Sequence, residues 1–530
     1  MADDLAYGTV PSFYREVYDI VCPNPADGKV DQDVFIKILV KSSLPKQTLS
    51  TIWEAADNKQ GYLTRSGLYK ALALTALAQQ GKPVSEKMLE NYGKEELPKP
   101  HLGDLSDLRT LSAQVRREKN PNVLSYTYKD LVALDSVTID LVPEKKGLLL
   151  KHVEYEVKSE FFKSSVMRRY SDFDALYDML ISRYPYRMVP RLPPKKMLGA
   201  NREFIEGRRR ALLRFLTLVV RHPVFHSSDV IRYFLTFQGT DMQHRIKEQF
   251  RGTPDEYVTS PLALSAKELV PMDTQMQYSN AREHVKRLFA SIYQLKHIVD
   301  QMALRSAASA SDMLLMAKEL NMMGSESQVA STWAMGVNES WPKIKTGLKA
   351  ISVEFAALAD KHSVQGKRED NNVAERIALI LDLLQAYKDL GDRLEKGLVK
   401  DHQNALAKMG SIKKKKMTAT VKGSDHVGEV EQLESRIIEQ ESQIMTMENR
   451  NYFSLHCIQM ETQLVHANID ILAEVVQALS KTELQGHKEF VGVWEVLATQ
   501  SPTLSGGEEQ AGPKTPTSPT SPAILTAASF

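Results

Sequence analysis

Apolar residues recur at spacings of three and four through the second half of the chain, from about residue 273 to 498. Such spacing, kept over several heptads, predicts helices that pack lengthwise on one another. The three runs include Val285, Leu288, Ile292, Leu295 and Val299, then Val373, Ile377, Ile380, Leu384 and Tyr387, then Ile458, Thr462, Val465, Ile469, Leu472 and Val476. Gly324 and the GSDHVG segment at 423–428 interrupt the pattern, which predicts three long helices.

The pattern between residues 133 and 168 is different, because apolar and polar residues alternate there. SVTIDLV, LLLKHVEYEV and FFKSSVM are three strand candidates separated by polar turns. Two helical stretches follow, DFDALYDMLISRY and NREFIEGRRRALLRFLTLVV, with a proline-rich loop, VPRLPPKK, between them. A small sheet followed by helices predicts an α+β domain over residues 133–240.

The rest of the chain consists of a helical block, polar linkers and a tail. Residues 10–100 are rich in helix formers and end in a proline pair, Pro98 and Pro100. Residues 101–132 and 241–272 have the composition of linkers. The segment 499–530 is dominated by Ser, Thr and Pro and cannot bury a core, so we expect it to be disordered. The predicted fold class is therefore multidomain and mostly α, with one α+β domain and a long-helix bundle over residues 273–498.

Composition and charge add constraints on location and ligand. With 530 residues the chain is too long for one core, and its two cysteines, Cys22 and Cys457, cannot form a disulfide framework. Since neither a signal peptide nor a membrane-spanning stretch is visible, we expect a cytosolic protein. The net charge is only +2, but residues 145–215 hold 17 Lys and Arg against 8 Asp and Glu. Such a basic domain predicts binding to phosphate, on a nucleic acid or on a membrane surface.

Three segments of the basic domain combine into one candidate site. RRYSDF (168–173) ends a strand, VPRLPPK (189–195) is a stiff polyproline loop, and FIEGRRRALL (204–213) lies in a helix. An arginine can hold a phosphate through two hydrogen bonds, a tyrosine offers a flat face to a sugar-like ring, and a stiff loop presents a lysine at little entropic cost. Taken one at a time, the three segments are commonly an exposed strand edge, a solvated turn and a solvent-exposed helix face. Their order and spacing together predict a phosphate pocket.

Together these motifs resemble the PX domain, the phosphoinositide-binding module of sorting nexins, over roughly residues 133–240. The resemblance implies that Arg169 holds the 3-phosphate, with Ser171 beside it, and that Tyr170 stacks under the inositol ring. It also implies that Lys195 takes the 1-phosphate and Arg208 bonds the ring hydroxyls. The lipid implied by the resemblance is phosphatidylinositol 3-phosphate.

A PX domain followed by three long helices resembles the sorting nexins that carry a BAR domain. That architecture implies a homodimer, or a higher oligomer, whose helical rod presses basic side chains onto anionic membrane. An ordinary coiled-coil dimer is the alternative interpretation of the helices. The side chains expected to contact lipid in a general way are Lys196, Arg209 and Arg210, and a run near the end of the second helix, Lys413, Lys414, Lys415 and Lys416. Such a lysine run is also typical of a solvated helix end or a nuclear import signal.

The N-terminal segment SSLPKQTLSTIWEAADNKQGYLTRSGLYKALAL resembles an EH domain, the EF-hand pair that binds Asn-Pro-Phe peptides. The resemblance implies a peptide pocket formed by Trp53 and Leu63, while a plain core position is the alternative for Trp53. An EF-hand loop needs a bidentate Glu at its closing position. Here that position is Gly67 in the second loop, and prolines occupy ligand positions in the first, so we expect no calcium.

The sequence contains none of the common nucleotide-binding, metalloprotease or serine-hydrolase motifs. We therefore expect no catalytic residues, no metal and no cofactor. The predicted function is phosphatidylinositol 3-phosphate binding with curvature sensing or formation on the cytosolic face of early endosomes, in sorting and retrograde transport toward the trans-Golgi network. The alternative is a soluble coiled-coil scaffold that is recruited to endosomes without remodelling membrane. A nucleic-acid ligand is disfavoured because Tyr170 stands alone, outside any stacking array.

Overall fold

The structure is a computed structural model that describes residues 8–22, 28–57, 61–90, 92, 95–103, 105, 108, 120–142, 153–195, 201–325, 340–421 and 427–505. It divides into two compact units, and each is described by itself. The first comprises residues 1–296 and 375–475, and the second comprises residues 297–374 and 476–530. Within the described residues, no helix carries an apolar stretch long enough to cross a bilayer.

A helical block opens the first unit. A two-residue antiparallel bridge pairs Val30 with Leu63 and joins its two halves. The Thr64 side chain accepts a hydrogen bond from the Gly67 backbone N–H and so caps the helix that follows. Gly67, the closing position of the second calcium loop, thus lies inside a helix, and residues 23–27 and 58–60 of the two loops lie outside the described residues. The elements are α1 (Ser12–Val21), β1 (Val30–Asp31), α2 (Gln32–Val40), α3 (Lys46–Ala56), β2 (Tyr62–Leu63), α4 (Arg65–Gln79) and α5 (Glu86–Glu90).

An α+β domain follows in the same unit. Its sheet is antiparallel with strand order β3-β4-β5, and helices cover one face. The third strand begins at Ser164, because Phe161 and Phe162 of the predicted FFKSSVM strand form the turn before it. The elements are α6 (Tyr128–Val132), β3 (Val137–Leu141), β4 (Glu154–Ser159), β5 (Ser164–Arg169), α7 (Tyr170–Arg183), α8 (Arg202–Val220), α9 (Pro223–His226), α10 (Asp229–Thr236), α11 (Met242–Gln249), α12 (Glu256–Thr259) and α13 (Ala266–Leu269).

Strand alternation determines which side chains form the core of this domain. Ile139, Val157 and Val166 lie directly opposite one another across the three strands and are all buried. The helices contribute Phe173 and Phe215, whose rings meet edge-on at 6.5 Å. Because inward positions alternate with outward ones along a strand, residues next to these core positions face solvent. This alternation positions the candidate site at the end of β5.

Long helices complete the chain. The first is α14 (Thr274–Gly324), which ends at the predicted Gly324. The second consists of α15 (Ser340–Arg368), α16 (Glu375–Leu394) and α17 (Lys400–Val421), joined by π-helical turns at Glu369–Ala374 and Glu395–Val399. The third consists of α18 (Val427–Ala467) and α19 (Ile471–Gln500), joined by a 3₁₀ turn at Asn468–Asp470 and followed by another at Ser501–Ser505. These elements confirm the predicted fold class, while most of the predicted tail, residues 506–530, lies outside the described residues.

The predicted heptads match the buried face in some places and miss it in others. Ile377, Leu384 and Tyr387 of the second run are all buried. In the third run the match ends at the 3₁₀ turn, after which the predicted Val476 is 63% exposed and Val475 is buried. A 3₁₀ turn rotates the chain by about 120° per residue, against about 100° in an α-helix. The buried face therefore arrives one residue earlier than a constant period predicts.

The second unit has its own small core. Ile351 and Leu358 of α15 pack with Leu497 of α19 in a buried cluster. Leu504, in the closing 3₁₀ turn, also packs against this cluster and occupies the space that a side chain at Gly347 would need. A glycine at this position therefore permits the close approach of the turn to α15.

Candidate functional site

Two consecutive arginines at the end of β5 face in opposite directions. Arg168 is buried, and its guanidinium donates to the carbonyl oxygens of Phe234 (3.0 Å) and Phe237 (2.6 Å), which end α10. Burial lowers the pKa of Arg168 to about 10. Arg169 points away from the core, with 51% of its side chain exposed. Arg168 therefore supports the fold, and Arg169 is the arginine available to a ligand.

Arg169 is paired with a carboxylate on the neighbouring strand. Its Nε and Nη2 donate to Glu154 Oε1 at 3.0 and 2.8 Å, since Glu154 lies directly opposite Arg169 in the β4–β5 pairing. The backbone N–H of Arg169 donates to Asp172 Oδ2 (2.7 Å), which caps α7. Burial raises the pKa of the Asp172 carboxyl, although backbone N–H groups oppose that effect. This cap fixes the backbone on which Arg169 and Tyr170 sit.

Tyr170, Arg208 and the polyproline loop are in direct contact. The Tyr170 hydroxyl donates to the carbonyl oxygen of Pro193 (2.5 Å), and Arg208 Nη2 donates to that of Pro194 (3.3 Å). The Arg208 guanidinium lies over the Tyr170 ring, 4.6 Å from its centroid. Burial raises the pKa of the Tyr170 hydroxyl, so it is a hydrogen-bond donor at neutral pH. The loop ends in Lys195, directly after the carbonyl that Arg208 holds.

Lys195 is exposed and paired with a carboxylate of α7. Its Nζ lies 2.6 Å from Asp174 Oδ2, and this hydrogen bond raises the pKa of the ammonium group. Asp174 is one helical turn after Tyr170, so the pair extends the same surface. Four of the five predicted headgroup residues, Arg169, Tyr170, Lys195 and Arg208, thus lie on neighbouring segments around the start of α7.

The fifth residue, Ser171, lines a cavity on the other side of Arg169. This cavity has a volume of about 730 Å³ and is bounded by Arg169, Ser171 and Glu154, and by the segment Gln238–Gln243. Tyr170, Lys195 and Arg208 do not line it. Among the predicted residues, Arg169 is therefore the one that connects the cavity to the Tyr170–Arg208 contact.

Two of the residues predicted to contact lipid in a general way, Arg209 and Arg210, are paired with carboxylates. Arg209 is half-buried and donates to Glu206 (2.6 Å) and to the carbonyl of Ile139 (2.8 Å). Arg210 pairs with Glu206 and with Glu375 of α16. Both arginines are therefore paired within the unit, and their general contact with lipid stays a prediction. Lys196 lies outside the described residues.

The lysine run divides into paired and exposed members. Lys413 lies 3.2 Å from Glu441, and Lys416 lies 2.7 Å from Glu434, both on α18. Lys414 and Lys415 are exposed. Two of the four lysines therefore form ion pairs between α17 and α18, and the other two leave their positive charge exposed.

The two residues predicted for the peptide pocket differ in burial. Leu63 is fully buried in the core of the N-terminal block, so it does not reach a surface where a peptide could bind. Trp53 is half-buried, with its ring 5.4 Å from that of Phe35. The exposed apolar side chains Ile36 and Val40 are on the adjacent helix α2.

Sequence reasoning missed a buried charged cluster that joins the α+β domain to α18. Glu461 accepts hydrogen bonds from Arg187 Nη1 (3.1 Å), from the Met188 N–H (3.2 Å) and from His222 Nε2 (3.0 Å). Val224 N–H donates to His222 Nδ1, which leaves Nε2 to carry the proton toward Glu461. The partners are far apart in the sequence, so only the polar character of Glu461 within an apolar heptad could have drawn attention to it.

The polyproline loop is held by α16 as well. Arg191 within the loop donates to both carboxylate oxygens of Asp389, at 2.5 and 2.6 Å. Arg393 donates to the carbonyls of Pro185 (2.9 Å) and Arg187 (2.6 Å), just before the loop. The long helices thereby fix the loop that presents Lys195.

These features define a class of protein: a PX domain built onto a BAR domain. A PX domain family model matches residues 156–238, and a sorting nexin 8/Mvp1 BAR domain model matches residues 253–506. The chain belongs to the sorting nexin 8/Mvp1 family of PX-BAR sorting nexins. PX and BAR domains are non-enzymatic lipid-binding and membrane-remodelling modules, in agreement with the absence of catalytic motifs from the sequence.

Relatives support this assignment across most of the chain. Human sorting nexin-8 is 48% identical over 388 residues, which cover 73% of this chain and 83% of the human protein. Sorting nexin mvp1 of Aspergillus fumigatus is 28% identical over 335 residues, covering 63% of this chain and 45% of the fungal protein. A solved structure, described as the cryo-EM structure of the SNX-BAR Mvp1 tetramer, matches 68% of this chain and all of that chain, with a TM-score of 0.54 at 21% identity. The structural match supports the fold.

Proposed function

We propose that this protein binds phosphatidylinositol 3-phosphate on the cytosolic face of early endosomes and senses or forms membrane curvature there. We further propose that it acts in endosomal sorting, including retrograde transport to the trans-Golgi network. Membership of a PX-BAR sorting nexin family supports endosomal sorting and membrane curvature in general. The choice of lipid follows from the resemblance of the residues around the start of α7 to the phosphoinositide site of a PX domain.

The observation that carries the lipid proposal is the contact of Arg208 with Tyr170, beside Lys195. Two cations and an aromatic face lie on one surface, and Arg169 precedes the tyrosine on the adjacent strand. A phosphoinositide needs such an arrangement, because it presents phosphate groups on a ring with a nonpolar face. We propose that Arg169 and Ser171 hold the 3-phosphate, Lys195 the 1-phosphate, and Arg208 the ring hydroxyls, while Tyr170 supports the ring.

We also propose that two copies pair through the BAR helices. Large apolar patches exposed on a single chain commonly mark interfaces, and the second unit has many exposed apolar side chains. They include Leu304, Leu314, Leu315, Met322, Val353, Leu484, Val491 and Trp494. Pairing would bring two headgroup sites to one membrane, which can raise avidity about 10²- to 10⁴-fold if both sites reach lipid. The related Mvp1 structure is described as a tetramer, so we include a higher oligomer in the proposal.

Co-sedimentation of the full chain with vesicles tests the lipid proposal. The vesicles contain phosphatidylcholine and phosphatidylethanolamine, with or without phosphatidylinositol 3-phosphate. Arg169→Ala removes a charge-assisted contact and should weaken the lipid-dependent binding about 10- to 100-fold. Arg232→Ala is the matched control, because Arg232 is similarly exposed and paired with Asp229 on α10. Equal binding of the two variants would contradict the assignment of Arg169.

Electron microscopy of the same pellets separates the proposed coat from a scaffold. Tubules would support curvature formation, whereas bound but unchanged vesicles would favour a coiled-coil scaffold. One observation favours the scaffold as the second candidate: Lys413 and Lys416 are paired with α18 carboxylates, which leaves less basic charge for lipid at this end of the helices.

For the N-terminal block we propose binding of an Asn-Pro-Phe peptide at Trp53. The half-buried ring and the exposed Ile36 and Val40 support an apolar contact surface there. Titration of a labelled Asn-Pro-Phe peptide against the full chain and Trp53→Ala tests this proposal. Unchanged affinity in the variant would exclude Trp53 from the binding surface.

A further inference from the structure

Both cations that the headgroup would need are already paired with carboxylates. Arg169 bonds Glu154 through two N–H groups, and Lys195 bonds Asp174 at 2.6 Å. All four side chains are partly exposed, so an incoming phosphate can reach them and water can solvate the groups it displaces. We call Glu154 and Asp174 the guard carboxylates.

Within the part of the chain that the structure describes, the side chains of the guard carboxylates make no other hydrogen bond or ion pair. Glu154 pairs with Arg169, and Asp174 pairs with Lys195. By contrast, Asp172 between them is buried and caps α7, as a residue required by the fold does. Glu154 and Asp174 stabilise neither the core nor a helix cap, but each neutralises a cation that is proposed to bind the ligand. Their effect should therefore be on ligand binding.

We propose that Glu154 and Asp174 act as internal competitors that lower the affinity of the headgroup site, and that Glu154 also sets its selectivity. This inference rests on the proposed function and assigns two residues that oppose binding. A headgroup phosphate must take Arg169 and Lys195 from the guard carboxylates, and it then lies near two displaced negative charges. The guards therefore lower affinity for every anionic lipid.

Selectivity follows from the charge of the competitor. A phosphomonoester such as the 3-phosphate carries about −1.5 to −2 at neutral pH, whereas a phosphodiester or carboxylate carries one charge. The doubly charged 3-phosphate therefore competes well against Glu154 for Arg169, while a singly charged lipid such as phosphatidylserine competes only evenly. The 1-phosphate is a diester with one charge, so it too competes only evenly with Asp174 for Lys195. Glu154 thus favours a phosphoinositide over bulk anionic lipid, and Asp174 lowers the affinity for all anionic lipids alike.

Charge-neutral substitutions test the inference. Glu154→Gln and Asp174→Asn keep the side-chain shape and remove the competing charge. Because removal of any carboxylate strengthens attraction to anionic membrane, Glu160→Gln and Asp178→Asn are the controls. Glu160 follows the other end of β4, about 20 Å along the strand, and Asp178 lies one turn beyond Asp174 on α7.

Each guard variant should bind phosphatidylinositol 3-phosphate vesicles about two- to fivefold more tightly than its control, the range expected for breaking one exposed ion pair. Glu154→Gln should also gain proportionally more binding to phosphatidylserine vesicles, so its preference for the phosphoinositide falls, whereas Asp174→Asn should gain equally on both lipids. In an Arg169→Ala background, Glu154→Gln should gain no more than Glu160→Gln does, since no cation is left to release.

Binding of the guard variants that is equal to or weaker than that of the controls would overturn the inference, because the carboxylates would then position the cations for the lipid. The proposed function fails by a different result, namely wild-type protein without preference for phosphatidylinositol 3-phosphate. In that case the inference stands only if Glu154→Gln and Asp174→Asn still bind anionic vesicles more tightly than their controls, and it falls if they do not.

Discussion

Glu461→Ala should loosen the connection between the α+β domain and α18. The wild-type carboxylate is buried and satisfies three donors, from Arg187, Met188 and His222. Each buried donor left without a partner costs about 1–3 kcal/mol, and removal of one member of a buried charged pair costs about 3–5 kcal/mol. Arg187 keeps Glu256 as a partner (2.7 Å), so we expect a loss of about 3–5 kcal/mol and not more.

Native-state hydrogen exchange measures this loss locally, which matters in a chain with several cores. Amides of residues 185–195 and 458–465 should exchange at least about 10²-fold faster in Glu461→Ala, since 1.4 kcal/mol corresponds to a factor of ten. Amides of α4 in the N-terminal block serve as the internal reference. Glu439→Ala is the matched control, because Glu439 is an exposed carboxylate on the same helix. Unchanged exchange at 185–195 in a folded Glu461→Ala protein would refute the argument.

The same cluster predicts a pH dependence. Burial alone would raise the pKa of the Glu461 carboxyl, but His222, Arg187 and the Met188 N–H outweigh it and hold the pKa below its ordinary value. A carboxyl with a lowered pKa in the folded state stabilises that state above its unfolded pKa, about 4.3 for Glu, and loses this contribution as the pH falls through the folded value. The difference in exchange between wild type and Glu461→Ala should therefore shrink only in acid below about pH 4. A difference that shrinks between pH 8 and 6 would assign the effect to another group.

Two further predictions concern helix packing. A Cβ at Gly391 would lie 2.5 Å from the Tyr278 hydroxyl, so Gly391→Ala should destabilise the contact of α14 with α16 by about 1–3 kcal/mol, and Tyr278→Phe should restore part of the loss. Hydrogen exchange of the 380–394 amides measures both effects, and equal exchange in Gly391→Ala and wild type would contradict the packing argument. Leu315→Glu puts a charge among the exposed apolar side chains of the second unit and should convert the proposed dimer to monomers, as measured by sedimentation velocity. Met417→Glu, at a similarly exposed residue of α17, should leave the dimer intact. If the Leu315→Glu protein is still a dimer, the surface around Leu315 is not the dimer interface.

The sequence predicts the elements well where one period persists. Three long helices, three strands and the interruption at Gly324 follow from spacing alone, because a constant period specifies a constant buried face. The prediction fails where the period changes locally. Neither the 3₁₀ turn at Asn468–Asp470 nor the π-helical turns leave a mark in the apolar pattern, so Val476 was assigned to the buried face in place of Val475.

For the candidate site, motif order identifies which residues gather, but it does not identify their partners. Arg169 and Tyr170 are adjacent in sequence, and the proline loop is recognisable, so the resemblance to a PX domain predicts that Lys195 and Arg208 lie at the same site as these two residues. The pairing of Glu154 with Arg169 depends on the register of β4 against β5, which no local pattern specifies. The assignment of Leu63 to a peptide pocket rested on the resemblance to an EH domain, and a resemblance does not show that this side chain is buried in the core of the N-terminal block.

The positive charge that the basic domain presents to a membrane is smaller than its sequence suggests. Many of its arginines are neutralised by carboxylates from distant parts of the chain: Arg214 by Glu375 and Asp382, Arg191 by Asp389, and Arg187 by Glu256 and Glu461. Charges paired in this way contribute little to the field that a membrane experiences, since each cation and its anion cancel within a Debye length. Part of the basic excess of residues 145–215 therefore joins the domain to the long helices. Since we propose that the few cations around the start of α7 recognise lipid, we expect a specific headgroup, more than bulk negative charge, to decide where the protein binds.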